Sequence, residues 1–559
     1  MAARKSQENF ASASISGASN TTLTTTAPLT RQRMTQNYLL VWVDASIDQT
    51  SKVCKNTLAQ LRTVVNDVTM YTQPDECMQF LDNLNDEKAF LIIPGYQGQH
   101  LIPEIHDMPS LNAIYIFCNN ISYHQQWAKD WNKIKGVHNN IKDIYDALKG
   151  GVKQVNQNSI PISFVAANET VSSENLNQLE SSYMYTQLFK EILLEVAHDQ
   201  NQAITLLAVY CRKFYSDNIG ESNIIDELQQ DYDSNHAIWW YTRECFTYQM
   251  LNRALRTLEA DTIINMGFFI RDLHQQITQL HQQQLPSYGG KPFIVYRGQG
   301  LFKTDFEKLR KTKGGLMSFN NFLSTSTKQD VSLVFAESAL ANADMVGILF
   351  IMTIDPRVSS IPFASIKEVS YFEVEEEILF SMHTVFRIDA IKQMNNYDQL
   401  YQVELQLTAD DDEQLRQLTK CISEEAEDAT GWERLGKLLI KTGHFDKAEE
   451  LYKALLEQAS NESNKAHYCN QLGLIKNEQG VYEQAIEYYE KVLEIEKRTL
   501  HENYPSLAIS YNNIGAAYQN MGKYSKALSF YEKALGMYEK TLPSNHPLLA
   551  TTYNNIGEV

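Results

Sequence analysis

The chain has 559 residues, of which 43% are apolar, and a formal net charge of −19 at pH 7; this length accommodates about three or four globular domains. The acidic balance disfavours binding to nucleic acid or to an anionic membrane surface, and no apolar run approaches the roughly 20 residues of a membrane-spanning helix. The seven cysteines are scattered and form no Cys-x-x-Cys pair, which favours reduced thiols and a cytoplasmic location over a disulfide framework.

The first 36 residues are rich in Ser, Thr, Ala and Asn and contain almost no large apolar side chains. Such a segment cannot bury enough surface to offset the entropy of ordering, so we predict a disordered tail over residues 1–36. The segment also lacks the hydrophobic core of a secretory signal peptide.

Residues 37–151 alternate apolar runs with segments of helical spacing. The apolar runs predict strands at residues 38–44, 67–71, 89–93 and 113–117, with a fifth beginning at 136–137. The segments between them predict helices over residues 51–65, 74–84, 123–131 and 141–148. Continuous apolar strands separated by helices indicate a parallel sheet covered on both faces. The pattern resembles a flavodoxin-like or receiver-like α/β domain.

The strand ends of this domain, where ligands bind in such sheets, carry few catalytic residue types. Asp44 ends the first strand, but the third strand ends in Pro94 and Gly95 rather than in an acidic residue. No Gly-x-Gly-x-x-Gly motif is present. We therefore predict a sensing or docking role for this domain rather than a catalytic one.

The next region changes from helices to strands. Residues 152–174 predict a linker with one strand at 161–165, and residues 180–284 are mostly helical. Turn-forming residues at 284–290 end the helices, and apolar strands follow. A helical half before a β half predicts an α+β domain over residues 175–407.

Three short signals follow one another in the strand-rich half. Residues 293–298 form an apolar strand ending near Arg297, residues 322–326 end in Ser-Thr-Ser, and residues 373–380 lead from glutamates into an apolar strand. The planar arginine fork matches phosphate oxygens two at a time, and strand alternation puts the first and third hydroxyls on one face. A nearby carboxylate can stabilise an oxocarbenium-like state, so the set suits cleavage of a glycosidic bond.

The three signals resemble the arginine-specific mono-ADP-ribosyltransferases of the Arg-Ser-Glu class. The pattern of that family is aromatic-Arg-Gly, then Phe-x-Ser-Thr-Ser, then Glu-x-Glu before an aliphatic pair. The resemblance covers roughly residues 175–407 and implies NAD as the substrate. It implies that Arg297 and Gly298 bind NAD, that Ser324 orients the catalytic glutamate, and that Phe335 stacks on nicotinamide.

The resemblance also implies separate roles for two glutamates. Glu377 would hold the nicotinamide ribose and stabilise the oxocarbenium ion, and Glu375 would position the acceptor guanidinium. The register has an alternative, because Glu373 and Glu375 also form Glu-x-Glu. We choose Glu375 and Glu377 because the aliphatic pair Ile378 and Leu379 directly follows them, as it follows Glu-x-Glu in the family.

Each signal alone has an ordinary structural explanation. A strand-end arginine is usually part of a surface ion pair, Ser-Thr-Ser is compatible with any β edge, and a run of glutamates is usually a solvated face. Phe335 lies in an apolar segment and could belong to the core. The occurrence of all three signals in order favours the site over these explanations.

The last part of the chain is repetitive. Gly-x-Phe-x-x-Ala at 443–448 recurs as Gly-x-Tyr-x-x-Ala at 480–485 and 522–527, and Tyr-Asn-Asn-Ile-Gly occurs at 511–515 and 553–557. Small residues at fixed positions allow close helix packing. The pattern resembles tetratricopeptide repeats of the kinesin-light-chain type, predicted over residues 430–559 after a linker at 408–429. Because the sequence stops inside the first helix of a further repeat, we expect a truncated product or a fragment.

The sequence thus predicts a multidomain protein with an α/β domain, an α+β ADP-ribosyltransferase domain and an all-α tetratricopeptide solenoid. Its predicted activity is that of an NAD(P)+-protein-arginine ADP-ribosyltransferase, a glycosyltransferase that modifies proteins presenting arginine, with no metal. The repeats are predicted to bind a protein or peptide partner. Two alternatives remain open, namely an NAD glycohydrolase in which water replaces arginine, and an inactive-transferase scaffold that acts through its repeats.

Overall fold

The computed structural model describes residues 38–48, 50–84, 87–158, 162–167, 181–195, 199–243, 245–342, 344–357, 361–372, 376–394, 398–424, 431–499 and 505–559. The predicted disordered tail, residues 1–36, lies outside these ranges, as do Glu373 and Glu375 of the acidic cluster. The described residues form an N-terminal α/β region, a mixed sheet with a helical lobe, and a C-terminal all-helical region.

The described residues of the N-terminal region form a five-stranded sheet and five helices. The strands are Tyr38–Val43 (β1), Val68–Tyr71 (β2), Lys88–Pro94 (β3), Leu111–Phe117 (β4) and Ile134–His138 (β5). The helices are Lys52–Arg62 (α1), Pro74–Asp82 (α2), Gly95–Ile105 (α3), Ile121–Ala128 (α4) and Ile141–Asn158 (α5). All strand pairs are parallel, in the order β2-β1-β3-β4-β5. Residues 89–93 of β3 are at most 1% exposed, so both faces of this strand are covered.

Two features of this region differ from the sequence prediction. Helix α3 was not predicted, because Gly98 and Pro103 disfavour a helix interior. The helix forms around the buried side chains of Leu101 and Ile102, so tertiary packing outweighs intrinsic propensity. The second difference is that α5 continues to Asn158, past the predicted end at Leu148.

The segment predicted as a linker, residues 152–174, contains parts of two regular elements. Its first residues belong to α5, and Ile162–Val165 forms a strand (β6). This strand pairs antiparallel with a strand of the second sheet, and Ser163 and Val165 are buried. The short apolar run at 161–165 predicted a strand but carried no signal of its distant partner.

A helical lobe follows. Its helices are Ser181–Glu195 (α6), Gln200–Tyr215 (α7), Ile219–Asp231 (α8), Ala237–Thr242 (α9), Phe246–Thr257 (α10), Ala260–Asn265 (α11) and Gly267–Gln284 (α12). Their apolar faces meet in one buried cluster that includes Phe246, Phe268 and Phe269. This lobe corresponds to the helical half predicted over residues 180–284.

In the part of the chain that the structure describes, the second sheet has nine strands. Besides β6 they are Phe293–Phe302 (β7), Leu316–Phe319 (β8), Leu323–Ser326 (β9), Met345–Ile354 (β10), Phe363–Ser365 (β11), Glu377–Phe380 (β12), Thr384–Gln393 (β13) and Leu400–Leu407 (β14). Helices Lys303–Lys311 (α13) and Gln329–Ser338 (α14) connect some of them. The order is β11-β12-β9-β7-β10-β14-β13-β8-β6. The strands that carry the three sequence signals, β12, β9 and β7, are therefore neighbours.

The C-terminal region is entirely helical in the residues described. Its helices are Glu413–Glu424 (α15), Trp432–Lys441 (α16), Phe445–Gln458 (α17), Glu462–Glu478 (α18), Tyr482–Thr499 (α19), Pro505–Asn520 (α20), Tyr524–Thr541 (α21) and Pro547–Glu558 (α22). Helix α15 lies within the segment predicted as a linker at 408–429. The repeated glycine at position 480 has a φ of 76°, which explains its recurrence between paired helices.

The first helix pair of this region, α16 and α17, belongs to the same buried cluster as the helical lobe. Leu435 and Leu451 are at most 1% exposed within that cluster. The rings of Trp432 and Phe189 of α6 meet edge to face, with centroids 5.9 Å apart. The sequence predicted a separate solenoid, whereas its first helix pair completes the core of the preceding lobe.

Within the described ranges, the structure contains no helix of the length and apolarity that a membrane crossing requires.

Candidate active site

Arg297 is held in the wall of a cavity by hydrogen bonds along the strands. It lies on β7 opposite Phe350 of β10, and its side chain is buried, with 7% exposure of the residue. Its Nε donates to the side-chain oxygen of Gln299 at 2.9 Å, and its Nη1 donates to the carbonyl oxygen of Ser324 at 2.8 Å. These two bonds fix the plane of the guanidinium.

The surroundings of Arg297 have opposing effects on the pKa of its guanidinium. Burial lowers the pKa of its guanidinium, while the nearby hydroxyls of Tyr248 and Tyr241 and the carboxylate of Glu377 raise it. An arginine starts from such a high pKa that it stays charged at neutral pH. A fixed positive charge in a poorly hydrated wall attracts phosphate oxygens more strongly than a hydrated one.

The hydroxyls of β9 follow the alternation of a strand. Ser324 and Ser326 are half-buried on one face, whereas Thr325 is buried on the other. The Thr325 hydroxyl donates to the carbonyl oxygen of Ile378 at 2.9 Å and so joins β9 to β12. Ser324 and Ser326 therefore share one face of β9, and all three of these residues contribute to the lining of one cavity.

Glu377 begins β12 and pairs in register with Ser326 of β9. It is half-buried and lines the same cavity as Arg297 and Ser324. The preceding residue, Glu376, forms ion pairs with Lys328 at 3.4 Å and Lys367 at 3.8 Å. Glu375, the second predicted catalytic glutamate, lies outside the described residues.

Gly298 has a structural role in addition to its position at the cavity. A Cβ at this position would collide with the carbonyl group of Ser332 and approach the backbone of Ala336 on α14. The absence of a side chain allows α14 to pack directly on β7. This packing brings Phe335, which is on α14, to the cavity wall. Phe335 is thus part of the cavity lining rather than of the core.

The cavity has a volume of about 320 Å³ and is formed by both halves of the domain. The sheet half contributes every predicted site residue that the structure describes. The helical lobe contributes Tyr241, Tyr248 and Asn252, which were not predicted as site residues. The Tyr241 hydroxyl donates to the Asn252 side-chain oxygen at 3.3 Å, and Asn321 donates to the same oxygen at 2.9 Å.

The sequence indicates the helical segments but not their contact with the cavity. The segments containing Trp240-Tyr-Thr-Arg243 and Asn252-Arg-Ala-Leu-Arg256 resemble the helical lead-in of the transferase family. The signal that was missing was the fold-level contact that turns Tyr241 and Asn252 toward β7. A strand pattern specifies its own faces but not which helix covers them.

Comparison with known families agrees with this geometry. Residues 225–412 match the family NAD:arginine ADP-ribosyltransferase. This segment includes Arg297, Ser324 and Glu377, and NAD is the substrate of that family. Residues 432–466 and 465–540 match two tetratricopeptide repeat families. Both matches confirm the resemblances predicted from the sequence.

Similar solved structures include ADP-ribosyltransferase toxins and repeat proteins. Plx2a, an ADP-ribosyltransferase toxin from Paenibacillus larvae, is 18% identical over 32% of this chain and 86% of its own, with a TM-score of 0.24. Vis toxin, an ADP-ribosyltransferase from Vibrio splendidus, is 18% identical over 39% of this chain and 90% of its own, with a TM-score of 0.24. Repeats of a kinesin light chain from Podosopora anserina are 23% identical over 23% of this chain and 63% of their own, with a TM-score of 0.22. No curated protein matches the chain.

Proposed function

We propose that this protein transfers ADP-ribose from NAD to arginine side chains of target proteins and releases nicotinamide. The single observation that carries the proposal is that Arg297, Ser324 and Glu377 line one cavity on three neighbouring strands. The match of residues 225–412 to NAD:arginine ADP-ribosyltransferase supports the same reaction class. The activity is that of an NAD(P)+-protein-arginine ADP-ribosyltransferase, a glycosyltransferase.

Arg297 and Gly298 bind the NAD phosphates and the adjacent ribose in this proposal. The fork of Arg297 is already oriented by Gln299 and by the Ser324 carbonyl, so little ordering is required when a phosphate binds. The Ser324 hydroxyl orients the carboxylate of Glu377. Phe335 stacks against the nicotinamide ring from the α14 side of the cavity.

Glu377 supplies the charge that the reaction requires. The bond between nicotinamide and ribose breaks first, nicotinamide leaves with the bonding electron pair, and the ribose becomes an oxocarbenium ion. The negative carboxylate of Glu377 stabilises this cation more than the ground state, which lowers the barrier. A carboxylate oxygen of Glu377 also accepts a hydrogen bond from the ribose hydroxyl.

Transfer is completed by the acceptor. A guanidinium nitrogen forms the new bond to the ribose carbon and gives up a proton in the same step. Because free guanidinium has a pKa above about 12, the proton leaves as the bond forms rather than before it. We propose that Glu375 orients the guanidinium and takes this proton, in the register that pairs Glu375 with Glu377.

The flanking regions have supporting roles in the proposal. The tetratricopeptide repeats recruit a protein partner or substrate, as stacked helix pairs commonly do. The N-terminal sheet has the strand order of flavodoxin-like domains, and we propose a non-catalytic docking or sensing role for it. Six buried cysteines form no disulfide among the described residues, which supports a cytoplasmic location; they are Cys54, Cys77, Cys118, Cys211, Cys245 and Cys469.

The experiment that tests the function follows both products of one reaction. The full chain is incubated with NAD labelled in the adenylate, with poly-arginine or with poly-lysine as the acceptor. The proposal expects labelled poly-arginine, unlabelled poly-lysine and released nicotinamide. Free ADP-ribose with no labelled polymer would instead identify an NAD glycohydrolase. The absence of both products would favour a scaffold without activity.

A further inference from the structure

The turn between α7 and α8 joins the helical lobe to the N-terminal α/β region. Asn218, which is 4% exposed, donates from Nδ2 to the carbonyl oxygen of Arg62 at 2.9 Å and to the side-chain oxygen of Asn66 at 3.3 Å. Asn66 in turn donates to the carbonyl oxygen of Phe214 at 3.3 Å. Arg62 Nη1 donates to the carbonyl oxygen of Asp217, also at 3.3 Å. Hydrogen bonds in both directions therefore fix this turn against the segment between α1 and β2.

The same turn determines where α8 begins. The side-chain oxygen of Asn218 accepts from the backbone N–H of Glu221 at 3.2 Å and so caps the helix. The amide group of Asn218 thus serves two parts of the protein, since its oxygen bonds α8 and its nitrogen bonds the α/β region. A shift of the α/β region relative to the lobe would therefore move the first turn of α8 with it.

Glu221, in that first turn, reaches the start of α10. Its Oε2 accepts from the backbone N–H of Phe246, the first residue of α10, at 3.2 Å. The first N–H groups of a helix have no partner within the helix, and a carboxylate there also interacts favourably with the helix dipole. Burial raises the pKa of Glu221 to about 7, and the Phe246 N–H and the guanidinium of Arg243 oppose this rise. Because the carboxyl group is poorly hydrated, the Phe246 N–H replaces a water partner that it lacks.

A ring contact adds to the link between the turn and α10. The ring centroid of Tyr215, the last residue of α7, lies 6.0 Å from that of Phe246. Both side chains are buried. Helix α10 then contributes Tyr248 and Asn252 to the cavity. The contacts of the α7–α8 turn with the start of α10 thus help to set the position of these two side chains.

The α/β region also contacts the sheet half of the domain. Helix α5 packs against β7 and α14. The ammonium nitrogen of Lys88 lies 5.3 Å from the ring centroid of Phe302, the last residue of β7. Strand β7 carries Arg297, and α14 carries Phe335. One region therefore contacts both halves that form the cavity.

We propose that Glu221 is a positioning residue for the side of the NAD cavity that the helical lobe forms, and that the α/β region holds it in place through Asn218. The inference rests on the proposed function, which places NAD between this side and the sheet. Asn218 and Glu221 precede residues 225–412, the segment that matches the transferase family. The α/β region therefore acts on NAD binding through residues outside that segment. Breaking the link loosens α10 and weakens NAD binding, whereas Arg297 and Glu377 keep their positions on the sheet.

Titration calorimetry with NAD and full-length variants tests the role of Glu221. Glu221→Ala removes the partner of the Phe246 N–H, and we expect the Kd for NAD to rise about fivefold, the scale of a lost helix cap. Glu221→Gln keeps an acceptor oxygen, so its Kd should stay within about twofold of wild type. The rate of nicotinamide release at saturating NAD should stay within about twofold of wild type in both variants, because the groups on the sheet are unchanged.

The contact with the α/β region is tested by two other variants. Asn218→Ser retains an oxygen that caps α8 and loses the nitrogen that bonds Arg62 and Asn66. Asn66→Ala removes the other side of the same contact. We expect each variant to raise the Kd about threefold, the scale of one lost hydrogen bond. The double variant should raise the Kd by clearly less than the product of the two single effects, because the two residues bond each other.

A matched control and the stoichiometry exclude a general structural effect. Asn461→Ser is the control, because Asn461 caps α18 in the same way, accepting from the backbone N–H of Asn464 at 2.7 Å. It should leave the Kd unchanged. A variant that only loses stability lowers the number of NAD sites per chain in the titration and leaves the Kd of the folded sites at the wild-type value.

The outcomes separate this inference from the proposed function. A wild-type chain that binds NAD but releases no nicotinamide would overturn the proposed function, and the Kd values would still decide the role of Glu221. A wild-type chain that binds no NAD would overturn both. Wild-type Kd values in Glu221→Ala, or in both Asn218→Ser and Asn66→Ala, would overturn the inference alone, with or without a fall in the number of sites. If Glu221→Ala fails to fold, the Kd of Asn218→Ser decides the result.

Discussion

Lys447 of the first repeat donates a hydrogen bond from Nζ to the carbonyl oxygen of Thr257, at 2.9 Å. Thr257 is the last residue of α10, and Leu258 ends that helix in the left-handed region with a φ of 56°. The carbonyl groups at a helix C-terminus have no partner within the helix, so a lysine there satisfies one of them. Helix α10 carries Tyr248 and Asn252 of the cavity, so the repeats contact a helix of the site.

This contact changes what truncation should do. A chain ending at residue 424 loses α16 and α17, and with them the buried side chains of Leu435 and Leu451. The apolar surface of the helical lobe that packs against these two helices then becomes exposed to solvent. We expect its free energy of unfolding to fall by more than about 3 kcal/mol, the scale of two buried leucines. Urea denaturation followed by circular dichroism measures the change.

A chain ending at residue 459 provides the matched control, because it keeps this helix pair and loses the remaining repeats. It should retain NAD cleavage and transfer to agmatine but modify fewer proteins in a cell lysate. Equal stability of the two truncated chains would show that the repeats form a separate unit, as the sequence predicted.

The second prediction concerns the guanidinium of Arg297. Arg297→Lys keeps the charge but loses the planar fork and its bonds to Gln299 and the Ser324 carbonyl. We expect NAD affinity to fall by about 1–3 kcal/mol, the range of hydrogen bonds that involve charged groups. Titration calorimetry measures the affinity, with Arg310→Lys, an exposed arginine paired with Glu307, as the control. An unchanged affinity for NAD would contradict the proposed role of Arg297 in NAD binding.

The third prediction separates the two glutamates. Glu375→Gln should abolish transfer to agmatine and leave much of the NAD hydrolysis, because the role proposed for Glu375 is to act on the acceptor. The measurement compares labelled agmatine with free ADP-ribose in the same reaction. If both products decreased in the same proportion, Glu375 would belong to the NAD side and arginine specificity would lose its support.

The fourth prediction concerns pH. His383 has a φ of 55°, is buried against Tyr183, and neither of its ring nitrogens has a hydrogen-bond partner in the described part of the chain. Burial lowers the pKa of His383 to about 3 and that of His274 to about 4, and the charge of Lys190 contributes to both shifts. Both histidines are therefore neutral in the folded protein at neutral pH.

The two histidines make the folded protein less stable as the pH falls below 6.5. An unfolded histidine binds a proton near pH 6.5, whereas these two stay neutral in the folded state until pH 4 or below. Each should lower the free energy of unfolding by about 1.4 kcal/mol per pH unit as the pH falls from 6.5 toward 4. His383→Asn, which tolerates a positive φ, should remove one such contribution. An unchanged slope in urea titrations across this range would contradict the assignment.

Local patterns predicted much of the fold because they depend on nearby residues. The two-residue period of a strand was enough to predict Ser324 and Ser326 on one face, and repeated glycines and tyrosines were enough to predict the paired helices. The long-range partners were not predictable in this way. Nothing near Lys447 in the sequence indicates the end of α10, and nothing near Asn66 indicates Asn218. Helix α3 was missed because buried leucine and isoleucine outweigh the glycines and the proline that the sequence displays.

Glu377 provides the most direct test of the central claim, that the cavity between Arg297, Ser324 and Glu377 cleaves NAD. Glu377→Gln preserves the shape of the side chain and removes its charge, and Glu368→Gln on the exposed part of the preceding loop is the control. The measurement is the rate of nicotinamide release with and without agmatine. We predict that Glu377→Gln lowers both rates by at least about 100-fold, as expected for one electrostatic contact to the transition state, while Glu368→Gln stays near wild type. Nicotinamide release by Glu377→Gln within a few-fold of wild type would contradict the claim.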